Sequence, residues 1–253
     1  MNKLFLQAGL PRSGSTLLAA LLNQNPLIYA QTSSFVEILW RNYTIWDEES
    51  FAEDFAGSKI QNIKIPYLKK ITNAFFEELT DKPIVIDRRR HWHTIYNIKL
   101  YKEIFKKEPK IICTVRSIEE IASSWKNLSL ANDKTFPDSI EVNRFGNRFV
   151  VPYITFKDVW NSEFKRCLLL VEYNDLVKST QETLNKIYDF IEEPRYTHDL
   201  NNIVSEEPLK EREEIYGMKG MFNLPNKITK DKTSTDVLTS KQYKLYSAMN
   251  FWR

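Results

Sequence analysis

The chain has 253 residues, 42% of them hydrophobic and 13% aromatic, enough for one substantial core. Thirty-six Lys and Arg stand against 33 Asp and Glu, a net charge of +3 that is too mild and too scattered to argue for a nucleic-acid partner. No repeat, low-complexity tract or Pro/Gly-rich linker marks a boundary, so a single domain over 1–253 is expected.

The first stretch with an internal logic runs from Leu4 to Leu22, LFLQAGLPRSGSTLLAALL. Leu4 to Ala8 reads as a buried strand, Gly9 and Gly14 permit turns, and Leu17, Leu18, Leu21 and Leu22 recur at helical spacing, so a helix must begin near Ser15. Free amides at that helix terminus form an anion site suited to phosphate. Gly9, Gly14 and Thr16 match the nucleotide triphosphatase pattern GxxxxGK[ST], but Ser15 replaces its lysine, and the strong cation is Arg12, placed inside the loop after Pro11. Such a loop is poorly equipped for β- and γ-phosphates with magnesium and can hold a smaller 5′-anion.

Further strands are expected at Ile84 to Asp87, Ile111 to Val115 and Leu168 to Val171, separated by helical patterns. The implied fold class is α/β, a P-loop-type three-layer fold with a central parallel sheet and helices on both faces, its ligands beyond the carboxyl ends of the strands. Residues 28–82 read as acceptor-side or lid helices, with Phe35, Leu39, Tyr43 and Trp46 on one face and the acidic run Asp47 to Glu49 after it. Glu37 lies there as a possible base or a solvated carboxylate.

The strand ending in Asp87 runs into Arg88, Arg89, Arg90, His91 and His93. Apolar residues before an Asp resemble a Walker B strand, but three arginines would compete with magnesium for that carboxylate. The next strand ends at Arg116, and Ser124 follows eight residues later, two turns past Ser117 on nearly the same helix side. Ser117 with Glu120, and Ser179 with Glu182, are expected to be capping boxes, the latter starting a helix whose buried face is Leu184, Ile187, Tyr188 and Ile191. Ile140 to Phe164 reads as an amphipathic helix without chemistry. Cys113 and Cys167 read as buried thiols, which suits a reducing compartment. The first apolar run is too short for a signal peptide or membrane span, so a cytoplasmic location is expected.

GLPRSGSTLL resembles the 5′-phosphosulfate loop, PRSG[ST]T or PKSG[ST]T, of the sulfotransferases that use 3′-phosphoadenosine 5′-phosphosulfate (PAPS). The resemblance implies that Pro11, Arg12, Ser13, Gly14, Ser15 and Thr16 bind the 5′ end of the donor, Arg12 facing the phosphosulfate bridge. Arg116 with Ser124 matches the family's RxPxDxxxS site for the 3′-phosphate, with its middle replaced. VEYNDL…TL..IYDFIEEP resembles a further family segment and implies that Tyr173 lies near the adenine.

By its position after Asp87, Arg88 matches a lysine that contacts the transferring group. Arg90 stands where the cytosolic branch has its catalytic histidine, which leaves His91, His93 or Glu37 to take the proton. Residues 205–235 resemble the loop that covers the nucleotide; the usual arginine is absent at Pro225, and Lys219 or Lys227 is expected to compensate. The resemblance thus implies transfer of a sulfuryl group from PAPS to a hydroxyl or amine of a small-molecule, carbohydrate or lipid acceptor, without a metal. A P-loop kinase and a catalytically silent nucleotide-binding module are the alternatives.

Overall fold

Leucine- and isoleucine-rich runs of five to seven residues, largely buried, form four of the strands of a parallel sheet. The structure is a computed structural model and describes residues 3–31, 33–44, 59–134, 146–228 and 234–253. The strands are β1 (Lys3–Gly9), β2 (Ile28–Ala30), β3 (Ile84–Arg88), β4 (Ile111–Val115) and β5 (Leu168–Glu172), in the order β2-β3-β1-β4-β5. Four of them are the predicted strands, three running one or two residues longer than expected. The short β2 was not predicted: three residues carry too little periodicity, and what makes them a strand is pairing of Ile28 to Ala30 with Ile84 to Ile86.

The helices are α1 (Ser15–Leu22), α2 (Val36–Thr44), α3 (Lys59–Leu79), α4 (Ile95–Phe105), α5 (Ile118–Leu130), α6 (Gly146–Trp160), α7 (Tyr173–Lys178), α8 (Thr180–Ile191), α9 (Leu209–Tyr216) and α10 (Ser240–Ser247). Alternation along the strands sorts them into two layers. Leu4, Leu6, Val85, Ile111 and Cys113 face a core that also contains Trp40, Tyr101, Ile121 and Phe156, from α2, α4, α5 and α6. Phe5, Ile84, Ile86 and Ile112 face the other core, with Leu18, Leu21, Leu184 and Tyr188 from α1 and α8. Among the described residues, no helix is long and apolar enough to cross a membrane.

Several local expectations are corrected. On α2 the buried stripe is Val36, Glu37 and Trp40, while Phe35 is 50% exposed. Trp40 sets this rotation, donating to Thr72 Oγ1 at 2.9 Å and packing its ring against Trp92. Trp46 and Asp47 to Glu49 lie outside the described residues, as do the side chain of Tyr43 and residues 140–145 of the expected Ile140 to Phe164 helix. The helical part there is α6, and a 3-10 turn at Glu163–Cys167 follows.

Neither expected capping box forms. Ser117 instead donates its hydroxyl to the Glu120 carboxylate at 2.8 Å, an acceptor that also lies 3.7 Å from Arg116 Nε, and makes no side-chain cap. Ser179 makes no side-chain cap; it sits where α7 passes into α8, its own amide bonded to Asp175 O.

Candidate active site

β1 is the central strand, and the connections leaving β1 and its neighbour β4 run to opposite sides of the sheet. That reversal opens a crevice at their carboxyl ends. Gly9 pairs with Thr114 there so closely that a Cβ on Gly9 would lie 2.2 Å from Thr114 O, which brings the loop over the end of β4. Ser13 donates to the Leu10 carbonyl at 2.5 Å and lies 2.8 Å from Thr114 Oγ1, fully buried, so its hydroxyl braces the loop from inside. Gly14, at φ 85°, is the N-cap of α1, and no side chain caps the helix. The N–H groups of that first turn are available to an anion.

The same loop meets the end of β4. Arg12, itself at φ 60°, donates from Nε to Ser124 Oγ on α5 at 3.1 Å and from Nη1 to the Met221 carbonyl. Arg116 donates from Nη1 to the Arg12 carbonyl at 3.3 Å and lies over the Tyr173 ring, its Cζ 4.0 Å from the centroid. Tyr173 in turn packs under Gly14, where a Cβ would come within 2.6 Å of its ring. Burial lowers the pKa of both arginines, and for Arg12 the neighbouring Arg116 lowers it further. Two cations held together against that repulsion favour a bound anion.

These groups surround a cavity of about 130 Å3. Gly14, Ser15 and Thr16 of the first loop, together with Arg12, Arg88 and Arg116, form its polar wall. Trp125, Tyr173, Phe222 and Pro225 form an apolar wall of a kind that suits a purine ring. The segment after α9 is pinned over the cavity by Glu213, whose carboxylate accepts from Gly220 N at 2.9 Å and Phe222 N at 2.7 Å. Lys219 and Lys227 are exposed and absent from the lining; Lys219 is held through its backbone by Asn132.

The end of β3 forms the far wall. Arg88 and Arg90 line this cavity and also a second one of about 200 Å3, which His91 borders. Burial and then Arg90 lower Arg88 to about 9, and burial and then Arg148 lower Arg90 to about 10. Burial and then Arg89 hold His91 down at about 4, so its imidazole is neutral near pH 7. His93 belongs to the core instead: it is fully buried, its Nε2 lies 3.1 Å from Pro152 O and 3.0 Å from Thr155 Oγ1, and burial pushes it down to about 3. Glu37 is not solvated but buried, and it pairs with Arg89 at 3.1 Å. Asp87 is buried beneath the wall, its Oδ2 accepting from Trp92 Nε1 at 2.8 Å, which removes the Walker B reading of this strand.

The family model described as "Sulfotransferase family" matches residues 6–198, which include the loop, both arginine-bearing strand ends and α8. The chain belongs to the sulfotransferase family. Solved structures agree in fold. The sulfotransferase domain of the Synechococcus PCC 7002 olefin synthase aligns with a TM-score of 0.59 at 15% identity, covering 100% of this chain and 95% of that one. The sulfotransferase domain from the curacin biosynthetic pathway aligns at 0.54 and 13% identity, covering 98% and 96%. A sulfotransferase from Alicyclobacillus acidocaldarius aligns at 0.52 and 12% identity, covering 85% and 90%. No curated protein matches the chain.

In this sulfotransferase the structure thus brings Arg12, Gly14, Ser15, Thr16, Arg88, Arg116 and Tyr173 to one cavity, with Ser124 bonded to Arg12 at its edge. Pro11 and Ser13 support the loop without lining the cavity. Sequence reasoning missed Glu213, Arg148 and Arg212. Glu213 and Arg212 sit in KEREE, which reads as an ordinary solvated charge run, and Arg148 is one of several scattered cations in a stretch otherwise read as packing. Only their convergence distinguishes them.

Proposed function

We propose that this sulfotransferase moves a sulfuryl group from PAPS to an acceptor hydroxyl, or an amine, releasing 3′-phosphoadenosine 5′-phosphate (PAP). The observation that carries the reading is the direct bond between Arg12 of the first loop and Ser124 of α5. It joins the two anion-binding elements into one surface, as a ligand with phosphates at both ends of one adenosine requires. The residues present suit that donor: uncapped α1 amides and Arg12 for the 5′ end, Arg116 and Ser124 for the 3′-phosphate, Tyr173 and Trp125 beside the base.

The donor, when bound, supplies a sulfuryl group whose bond to the bridging oxygen breaks as the acceptor oxygen bonds to sulfur. Arg12, Arg88 and the loop amides stabilise negative charge developing on the leaving phosphate and the sulfuryl oxygens. The two arginines are preorganised by their partial burial, so little reorganisation accompanies the reaction. His91, neutral and on the wall of the adjoining cavity, takes the acceptor proton. Glu37 is the second candidate, but its carboxylate is buried, engaged by Arg89 and absent from the lining of both cavities.

Titration calorimetry with PAP and, separately, with ATP and magnesium tests the donor, and turnover of radiolabelled PAPS with an acceptor library tests the transfer. Micromolar or tighter PAP binding is expected. ATP binding without PAP binding would discard the assignment.

A further inference from the structure

The second cavity contains more positive charge than the donor reading uses. Arg88, Arg89 and Arg90 reach it from the end of β3, Arg148 from α6 and Arg212 from α9, and none of the described residues lining it is acidic. Carboxylates behind the wall answer part of this charge: Glu37 pairs with Arg89, and Glu207 pairs with Arg212 and also acts on Arg88. Arg90 Nε is buried without a hydrogen-bond partner, and the Arg148 guanidinium rests 4.9 Å from the Tyr216 ring centroid. Assembling like charges from three separate chain segments in a partly buried space is unfavourable unless something negative completes it.

The two cavities share Arg88, Arg90, Met221 and Phe222, so the second opens directly off the wall where the transferring group would lie. Arg148, Arg89, Arg212 and His91 line the second and not the first. We infer that the second cavity is the acceptor subsite and that it selects acceptors bearing an anionic group, a carboxylate or a phosphate or sulfate ester, a few bonds from the reacting hydroxyl. Arg148 and Arg90 receive that group, Arg212 and Tyr216 border it, and His91 stands beside the hydroxyl. The lowered pKa of Arg90, caused first by burial and then by Arg148, agrees with a site completed by an anion. Fixed guanidiniums recognise such oxyanions in bidentate fashion and discriminate against neutral analogues, whose binding would leave the cations uncompensated.

The inference rests on the donor reading, and one experiment separates the two. Thermal unfolding of PAP-saturated protein is followed against inorganic phosphate and against acetate, with chloride at matched ionic strength as reference. A saturable rise in Tm with phosphate is expected, and the relative response to acetate distinguishes an ester from a carboxylate acceptor. In Arg148→Gln the midpoint of that response should move at least about tenfold to higher concentration, whereas Arg148→Lys, which keeps the charge but loses the bidentate fork, should show a smaller shift in the same direction.

A rise that never saturates is the general effect of an excluded anion and overturns the inference, as does an unchanged midpoint in Arg148→Gln. Protein that ignores PAP yet responds to phosphate through Arg148 would sink the donor reading and leave the anion subsite standing.

Discussion

Arg12 Nε donates to Ser124 Oγ at 3.1 Å, joining residues 112 positions apart. The bond ties the loop after β1 to the helix after β4, so each anion-binding element orients the other. Arg12→Ala should weaken PAP binding by about 100-fold, as expected for loss of a charge-assisted contact and of loop order. Ser124→Ala should cost about tenfold. Calorimetry on both variants and the double variant should reveal a coupling of about 1 kcal/mol; strict additivity would mean that the two side chains act on PAP independently.

Gly14→Ala places a Cβ 2.6 Å from the Tyr173 ring at a backbone φ of 85°. Both effects are unfavourable, and urea unfolding should show a loss of about 2 kcal/mol or more. Adding Tyr173→Ala removes the clash and not the backbone strain, so it should recover only part of the loss. Full recovery would assign the whole effect to packing.

His91 is held at about 4 by burial and by Arg89, Arg90 and Arg41. With His91 as the base, kcat/KM should stay level from about pH 8 down to about pH 5 and fall only as the imidazole protonates near 4. A bound anionic donor opposes the arginines, so the acid limb of kcat should lie at higher pH than that of kcat/KM. His91→Gln should lower kcat by about 100-fold or more while leaving PAP affinity within twofold. An acid limb unmoved by that substitution would transfer the role to Glu37.

Asp87 has its pKa raised from 3.8 to about 6, chiefly by burial, against the opposing hydrogen bonds from Ser34 and Trp92. The folded state therefore holds this proton more tightly than the unfolded chain does. Its contribution is fully present below about pH 4 and is lost as pH rises through 6, a change of about 3 kcal/mol. Asp87→Asn keeps an acceptor for Trp92 and removes the titration, so urea unfolding should show the variant gaining on the wild type between pH 4 and 7. Parallel profiles would place the titrating group elsewhere.

Much of the framework was legible because its signals are local. An apolar run, two glycines five residues apart and a leucine stripe are enough to specify strand, loop and helix around residues 4–22, and β4 has the predicted limits. The strand β2 was illegible because its conformation comes from the edge of β3 and not from its own three residues. His91 and His93 stand two residues apart and look alike in sequence. Packing against Phe156 and Pro152 decides that His93 is core, and nothing short of that packing could.

By itself the amino-acid order determined the sheet-forming runs, the Arg12 loop and the Arg116 to Ser124 spacing, since each depends on neighbours within about ten residues. Only the folded chain decided that Glu213 pins the segment over the first cavity, that Glu37 answers Arg89, and that Arg148 and Arg212 meet the arginines of β3. Charge acts through space over several ångströms regardless of chain separation. The local environment of each arginine therefore became readable only when residues 50 or more positions away had been brought beside it.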